Sequence, residues 1–194
     1  MNTYLSSSII FHNDKITTKL QETFGDMEIP VMMDWEDSLM SASAAYITQN
    51  GGDILEIGFG MGISAGYMHS HSIDSHTIVE NHPDIIPKAI EWASNKSNVT
   101  IISQSWYDVK DSLGTFDGVF YDTFEDENYK DFSSSLSTWT KSGTKVTFWN
   151  NDNGESNNHQ IQTSYQQINI TPPNSASVYF RSGDTIYYMP IKEF

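Results

Sequence analysis

Hydrophobic and polar positions follow two alternating rhythms between residues 53 and 149, and each change of rhythm marks an element. Ile54-Leu55-Glu56-Ile57, behind Gly51-Gly52, is a short apolar run broken by one carboxylate, which predicts a buried strand. The spacing predicts a helix over 63–71, a second strand over 76–80 and a second helix over 83–95. A third strand follows over 99–102, then a short helix over 106–113. A fourth strand covers 116–121 and ends at Asp122, with a helix over 126–139, a turn at Ser142-Gly143 and a fifth strand over 145–149. Strands alternating with helices imply an α/β fold, with a mostly parallel sheet and helices on both faces.

The flanks read differently. Residues 14–24 suggest a short helix ending at Gly25, and Pro30 breaks whatever precedes it. Asp34 is a candidate N-cap for the helix that carries Leu39 and Met40, with Asp37 at its third position, an arrangement like a capping box. Glu36 and Met40 then lie one turn apart on one face. Residues 150–158 form a polar loop, and 162–171 alternate like a strand stopped by Pro172-Pro173. Residues 178–181 and 185–190 flank Ser182-Gly183-Asp184 as an antiparallel hairpin. No repeat or linker divides the chain, so residues 1–194 read as a single domain.

The first strand runs into Glu56-x-Gly58-x-Gly60-x-Gly62 and then a helix. Glycines at such a turn let a ligand approach bare backbone beside a helix N-terminus. A dinucleotide fingerprint requires a further Gly three residues after Gly60, where Ile63 stands, and this argues against a nicotinamide oxidoreductase. The alternating triplet behind an acidic strand residue instead resembles the loop of class I S-adenosylmethionine (SAM) methyltransferases.

Composition narrows the partners. Ten basic against twenty-five acidic side chains give a net charge of −15, which argues against nucleic acid or anionic membrane as partners. Cysteine is absent, excluding disulfides and thiolate zinc sites. With no basic leader and no long apolar run, a cytoplasmic location is expected. The histidines His69, His71, His76 and His82 lack the spacing of a metal site, so no metal is expected.

Four stretches together carry a more specific likeness. Val-Met-Met-x-Trp-Glu at 31–36, Leu-Glu-Ile-Gly-Phe-Gly-Met at 55–61, Ile-Val-Glu at 78–80 and Phe-Asp-Gly-Val-Phe-Tyr-Asp-Thr-Phe at 116–124 resemble guanidinoacetate N-methyltransferase, and in part the related arginine N-methyltransferases. The resemblance implies a class I methyltransferase fold, SAM as cofactor and S-adenosylhomocysteine as its product. It implies that Gly58, Phe59, Gly60, Met61, Gly62, Ile63 and Ser64, with Glu56 in the strand behind, wrap the methionine part of SAM. Glu80 would meet the ribose hydroxyls, Ser105 and Trp106 the adenine, and Met32 and Met40 would line the cofactor. Taken alone, both methionines read as core. Glu36 and Asp122 would grip the acceptor's planar guanidinium, whose forked N–H groups suit carboxylate oxygens. Asp122 would also face the cofactor and act with Glu36 in catalysis. Without that likeness Asp122 reads as a helix cap and Glu36 as a first-turn acid.

The chain departs from the family in three places. Asn150-Asn151-Asp152-Asn153 stands where the family holds the acceptor's carboxylate, and Asp152 would repel one. Asp152 and Asn153 are therefore candidate substrate-binding residues, and either the acceptor's far end is neutral or cationic or Asp152 turns outward. Residues 154–162 are too short and polar for the family's long helix between its fifth and sixth strands, so one sheet face would lose cover and admit a second copy in a homo-oligomer. No Trp precedes Trp35; within the expected N-terminal lid, residues 1–33, Phe11 is the substitute. The leading expectation is N-methylation of a small guanidine or amine. The alternatives are methylation of protein arginine and a SAM-binding interaction module without turnover.

Overall fold

The computed structural model describes residues 3–20, 25, 27–150, 154–173 and 184–194. Its main sheet has seven strands, β4 (Asp53–Ile57), β5 (Ser75–Val79), β6 (Val99–Ile102), β7 (Phe116–Tyr121), β8 (Thr140–Phe148), β9 (Ser164–Asn169) and β10 (Ile186–Glu193), in the order β6-β5-β4-β7-β8-β10-β9. The strands β6 to β8 in that order pair in parallel, and β10 runs antiparallel to both β8 and β9. Strand order reverses between β4 and β7, the switch point at which open α/β sheets bind ligands beyond the strands' carboxyl ends.

Side chains leave alternate faces of each strand, and two cores result. Ile54, Ile78 and Phe120 pack on one face with α2 (Asp37–Ile47), α3 (Ile63–His69) and α4 (Ile86–Ala93). Leu55, Val119 and Tyr121 pack on the other with α5 (Trp106–Val109) and α6 (Phe132–Trp139). Both faces of the parallel strands are therefore covered, as the continuous apolar runs require. No helix occupies 154–163 among the described residues. No described helix is long and apolar enough to cross a membrane.

The N-terminal part corrects the first expectation. The proposed helix over 14–24 is instead a strand, β2 (Lys15–Lys19), between β1 (Ile10–Phe11) and β3 (Glu28–Met33) in a small antiparallel sheet, preceded by the short helix α1 (Thr3–Ser6). Ile16, Thr17 and Thr18 are buried β-branched residues, stiff in a helix and well suited to a pleated surface; residues 21–24 lie outside the described residues. The capping residues also differ. Asp34–Glu36 forms a 3-10 turn before α2, and the Glu36 carboxylate reaches back to the Met33 N–H at 2.8 Å. Strand β8 runs through the expected turn at Ser142-Gly143 because β10 pairs with it: Gly143 N–H donates to the Phe194 carbonyl at 2.6 Å. The first arm of the C-terminal hairpin falls outside the described residues; its second arm is β10.

Candidate active site

Beyond the tips of β4 and β7 lies a cavity of about 240 Å³. Its floor is the glycine turn. Gly58 has φ +92°, and a Cβ there would stand 1.9 Å from the Asp122 carbonyl oxygen, so the two strand tips touch through bare backbone. Gly60 has φ +54°, and a Cβ there would meet the Met32 sulfur at 2.7 Å. Glu80, at the end of β5, fixes the turn's position. One oxygen accepts the Phe59 N–H at 2.9 Å, and the other accepts Asn81 N–H and His82 N–H, each at 2.8 Å.

Ten of the candidate residues line this one cavity: Gly58, Phe59, Gly60 and Ser64 at the turn, Glu80, Ser105 and Trp106 along one side, and Met32, Glu36 and Asp122 around the rest. Met61, Gly62 and Ile63 carry the turn onward behind the wall. Gly62 N–H donates to the Phe59 carbonyl at 2.8 Å, and Met61 N–H approaches the Met32 sulfur at 3.2 Å. Met40 is buried in the core rather than at the cavity. Glu56 is wholly buried beneath it. It accepts the Ser64 hydroxyl on one oxygen, while the other lies 2.9 Å from His76 Nε2, outside hydrogen-bond geometry. Asp152 and Asn153 lie outside the described residues.

Two carboxylates from distant parts of the chain face this space. Glu36 comes from the turn after β3 and Asp122 from the tip of β7, whose backbone N–H donates to the Ile57 carbonyl at 2.9 Å. Burial pushes the Glu36 carboxyl up to about 8; the Asp122 charge adds to the rise and the Met33 N–H opposes it. Burial likewise pushes Asp122 up to about 7, with help from the Glu56 charge. Tyr187, on β10, is held protonated first by burial and then by the charges of Asp122 and Glu36, although the Asn150 N–H that its oxygen accepts at 2.6 Å pulls the other way. Two acids thus face a cavity that no basic side chain lines among the described residues, and the Tyr187 phenol lies close enough to feel both charges. The arrangement suits a cation with forked N–H donors. Among the described residues no cluster of His, Asp and Glu could hold a metal.

Several lining residues escape a reading of the sequence. Tyr4 and Leu5 close the cavity on the N-terminal side, where Tyr4 packs against His82 at 4.6 Å and Phe124 at 4.9 Å between ring centroids. The segment is tied down by Ile9 N–H donating to Asp84 at 2.9 Å. Phe11 is not at the cavity; it is exposed, with Lys88 over its ring at 5.8 Å. Asp126 is the other surprise. It accepts the Trp106 indole N–H at 2.6 Å, the Tyr121 hydroxyl and the Asn128 N–H, and so fixes the indole that forms one wall. An acid in a polar stretch carries no periodic signal, which leaves it invisible until the fold brings Trp106 beside it.

The profile of the guanidinoacetate N-methyltransferase family matches residues 11–179. The chain belongs to that family. Protein arginine N-methyltransferase 2 of Aspergillus fumigatus is 37% identical over 141 residues, covering 69% of this chain and 31% of that protein. Protein arginine N-methyltransferase 2 of Saccharomyces cerevisiae is 33% identical over 139 residues, covering 66% and 32%. This guanidinoacetate N-methyltransferase family member thus spans about a third of the length of those relatives. Solved structures share its fold at low identity. Precorrin-6y C5,15-methyltransferase from Geobacter metallireducens has a TM-score of 0.57 at 14% identity, covering 80% of this chain and 88% of its own. Spermidine synthase from Thermotoga maritima has a TM-score of 0.63 at 11% identity, covering 96% and 68%. Fold, strand order and glycine turn together are those of a class I methyltransferase.

Proposed function

We propose that this protein is a SAM-dependent N-methyltransferase, acting in the cytoplasm, whose acceptor is a small guanidine or amine. The observation that carries the reading is the meeting of Glu36 and Asp122 at the same cavity as the glycine turn. SAM would supply an electrophilic methyl group on a sulfonium. Glycine at 58 and 60 lets the turn close against the Asp122 carbonyl and the Met32 sulfur, which sets its backbone along the cavity. Gly58, Phe59, Gly60 and Ser64 would hold its methionine part, Glu80 the ribose, and Ser105 with Trp106 the adenine. Met32 would pack against it, and Met40, Met61, Gly62, Ile63 and Glu56 would support these contacts from behind. Residues 1–33 would serve as the lid, with Tyr4 rather than Phe11 over the opening.

In the mechanism Glu36 and Asp122 share one task and divide it. Both would accept N–H donors of the guanidinium and fix its plane, so that one nitrogen points at the methyl carbon. Asp122, at the strand tip, is the proton acceptor. With its carboxyl near 7 and a guanidinium above ~12, full proton removal before attack would still cost about 7 kcal/mol. Proton loss to Asp122 therefore accompanies or follows bond formation, when the nitrogen becomes far more acidic. Most of the acceleration comes from alignment and from fixed charge in a water-poor site.

The test is incubation of the protein with labelled SAM and a panel of guanidines and amines, read by mass. Asp122→Asn should abolish methyl transfer while SAM binding persists. If transfer survives in that variant, the assigned role is lost. Relatives named protein arginine N-methyltransferase favour a second reading, methylation of arginine within a protein; an arginine peptide in the same panel separates the two.

A further inference from the structure

A second cavity, of about 410 Å³, adjoins the first, and Thr123, Glu125, Asp126, Glu127 and Trp149 line both. Trp149 follows β8 directly, and its N–H donates to the Tyr121 carbonyl at 2.9 Å. Trp149 lines both spaces, and its indole lies 5.5 Å from the Tyr187 ring between centroids. Beyond it the walls are Tyr121, Tyr129 and His159, with Glu125 and Glu127 at an exposed rim and no lysine or arginine among the described lining residues. Burial pulls His159 below its ordinary pKa, so it is neutral near pH 7. The Asp126 carboxylate is already engaged by Trp106, Tyr121 and Asn128. What remains is a cleft of aromatic faces and acidic rim that meets the first cavity at Trp149 and at Thr123, the residue after Asp122; Lys130, outside the lining, stands over the Tyr129 ring at 5.7 Å.

We infer that this second cavity receives a cationic amine at the far end of the acceptor's aliphatic chain, so that the acceptor is a guanidine bearing a second positive charge. The inference rests on the guanidine reading above and specifies its substrate class. Aromatic faces attract a partly desolvated ammonium, and neighbouring carboxylates reinforce the attraction. A carboxylate-ended acceptor would bring a like charge to the same rim and be disfavoured.

Calorimetric titration of the protein saturated with S-adenosylhomocysteine tests it, using methylguanidine, guanidinoacetate and agmatine. Agmatine is expected to bind about tenfold more tightly than methylguanidine, and guanidinoacetate more weakly than either. Tyr129→Leu, at a residue that lines only the second cavity, should remove most of agmatine's advantage, while methylguanidine keeps its affinity within about twofold and so reports an intact fold. Agmatine binding no better than methylguanidine, or an advantage untouched by Tyr129→Leu, overturns the second-cavity proposal and leaves the guanidine reading in place. If none of the three guanidines binds, both fall together.

Discussion

Acceptor binding to this site should be steeply dependent on pH, because a guanidinium is best held when both carboxyls are ionised. In the acceptor-free protein Glu36 keeps its proton to about 8 and Asp122 to about 7, both chiefly through burial. Titrating independently, such groups are doubly ionised in roughly 0.1% of molecules at pH 6 and about 45% at pH 8. The guanidinium stays charged throughout this range, so the change belongs to the protein. Affinity should therefore rise about 500-fold over those two pH units, spread over macroscopic steps that belong to the pair. Calorimetry in buffers of different ionisation enthalpy reads the protons directly. Nearly two should be released per acceptor bound at about pH 6, and few at about pH 9. Asp122→Asn should release one fewer. An affinity that stays flat across this range, or proton uptake on binding, would refute the reasoning.

Three further outcomes follow from the same geometry. The raised Asp122 carboxyl means the folded protein keeps a proton that the unfolded chain gives up near pH 4, so rising pH up to about 7 favours unfolding. Asp122→Asn should accordingly stabilise the protein at pH 8 by on the order of 2 kcal/mol and far less at pH 4, measured by urea denaturation at each pH. Gly58→Ala forces a Cβ against the Asp122 carbonyl oxygen at a left-handed φ; a loss of more than about 3 kcal/mol is expected in the same assay. Ser64→Ala strips the wholly buried Glu56 of its hydroxyl donor and should cost about 1–3 kcal/mol, read as a lowered thermal midpoint.

Residues 53–121 were legible because their signals are local. Each strand from β4 to β7 is a short apolar run bounded by glycine, proline or polar residues, and its ends fall within a residue or so of where the pattern puts them. Helix α6 begins at Phe132, later than the pattern over 126–139 suggests. Asp126 is instead drawn to Trp106 and Tyr121, contacts made only in three dimensions. Strand β2 was hidden for a related reason. Lys15–Lys19 has charged ends like a helix, and only pairing with β1 and β3 decides its form. At the site, residues inside motifs could be nominated from sequence, whereas their depth could not. Glu56 and Ser64 share one stretch, yet only Ser64 reaches the cavity, because Glu56 points from mid-strand into the layer beneath α3. Tyr4 and Trp149 belong to no motif: Tyr4 owes its place to packing on His82 and Phe124, and Trp149 to the pairing of β8 with the β7 tip.

The thioether of Met32 has a consequence of its own. It sits against the turn so closely that Gly60 has no space for a methyl group and Met61 directs its amide at the sulfur. Peroxide would convert that sulfur to a sulfoxide, adding a polar oxygen and a chiral centre at the seam between the N-terminal sheet and the turn. Ageing by oxidation should therefore strike donor binding before it unfolds the protein, and a sulfoxide reductase should restore it.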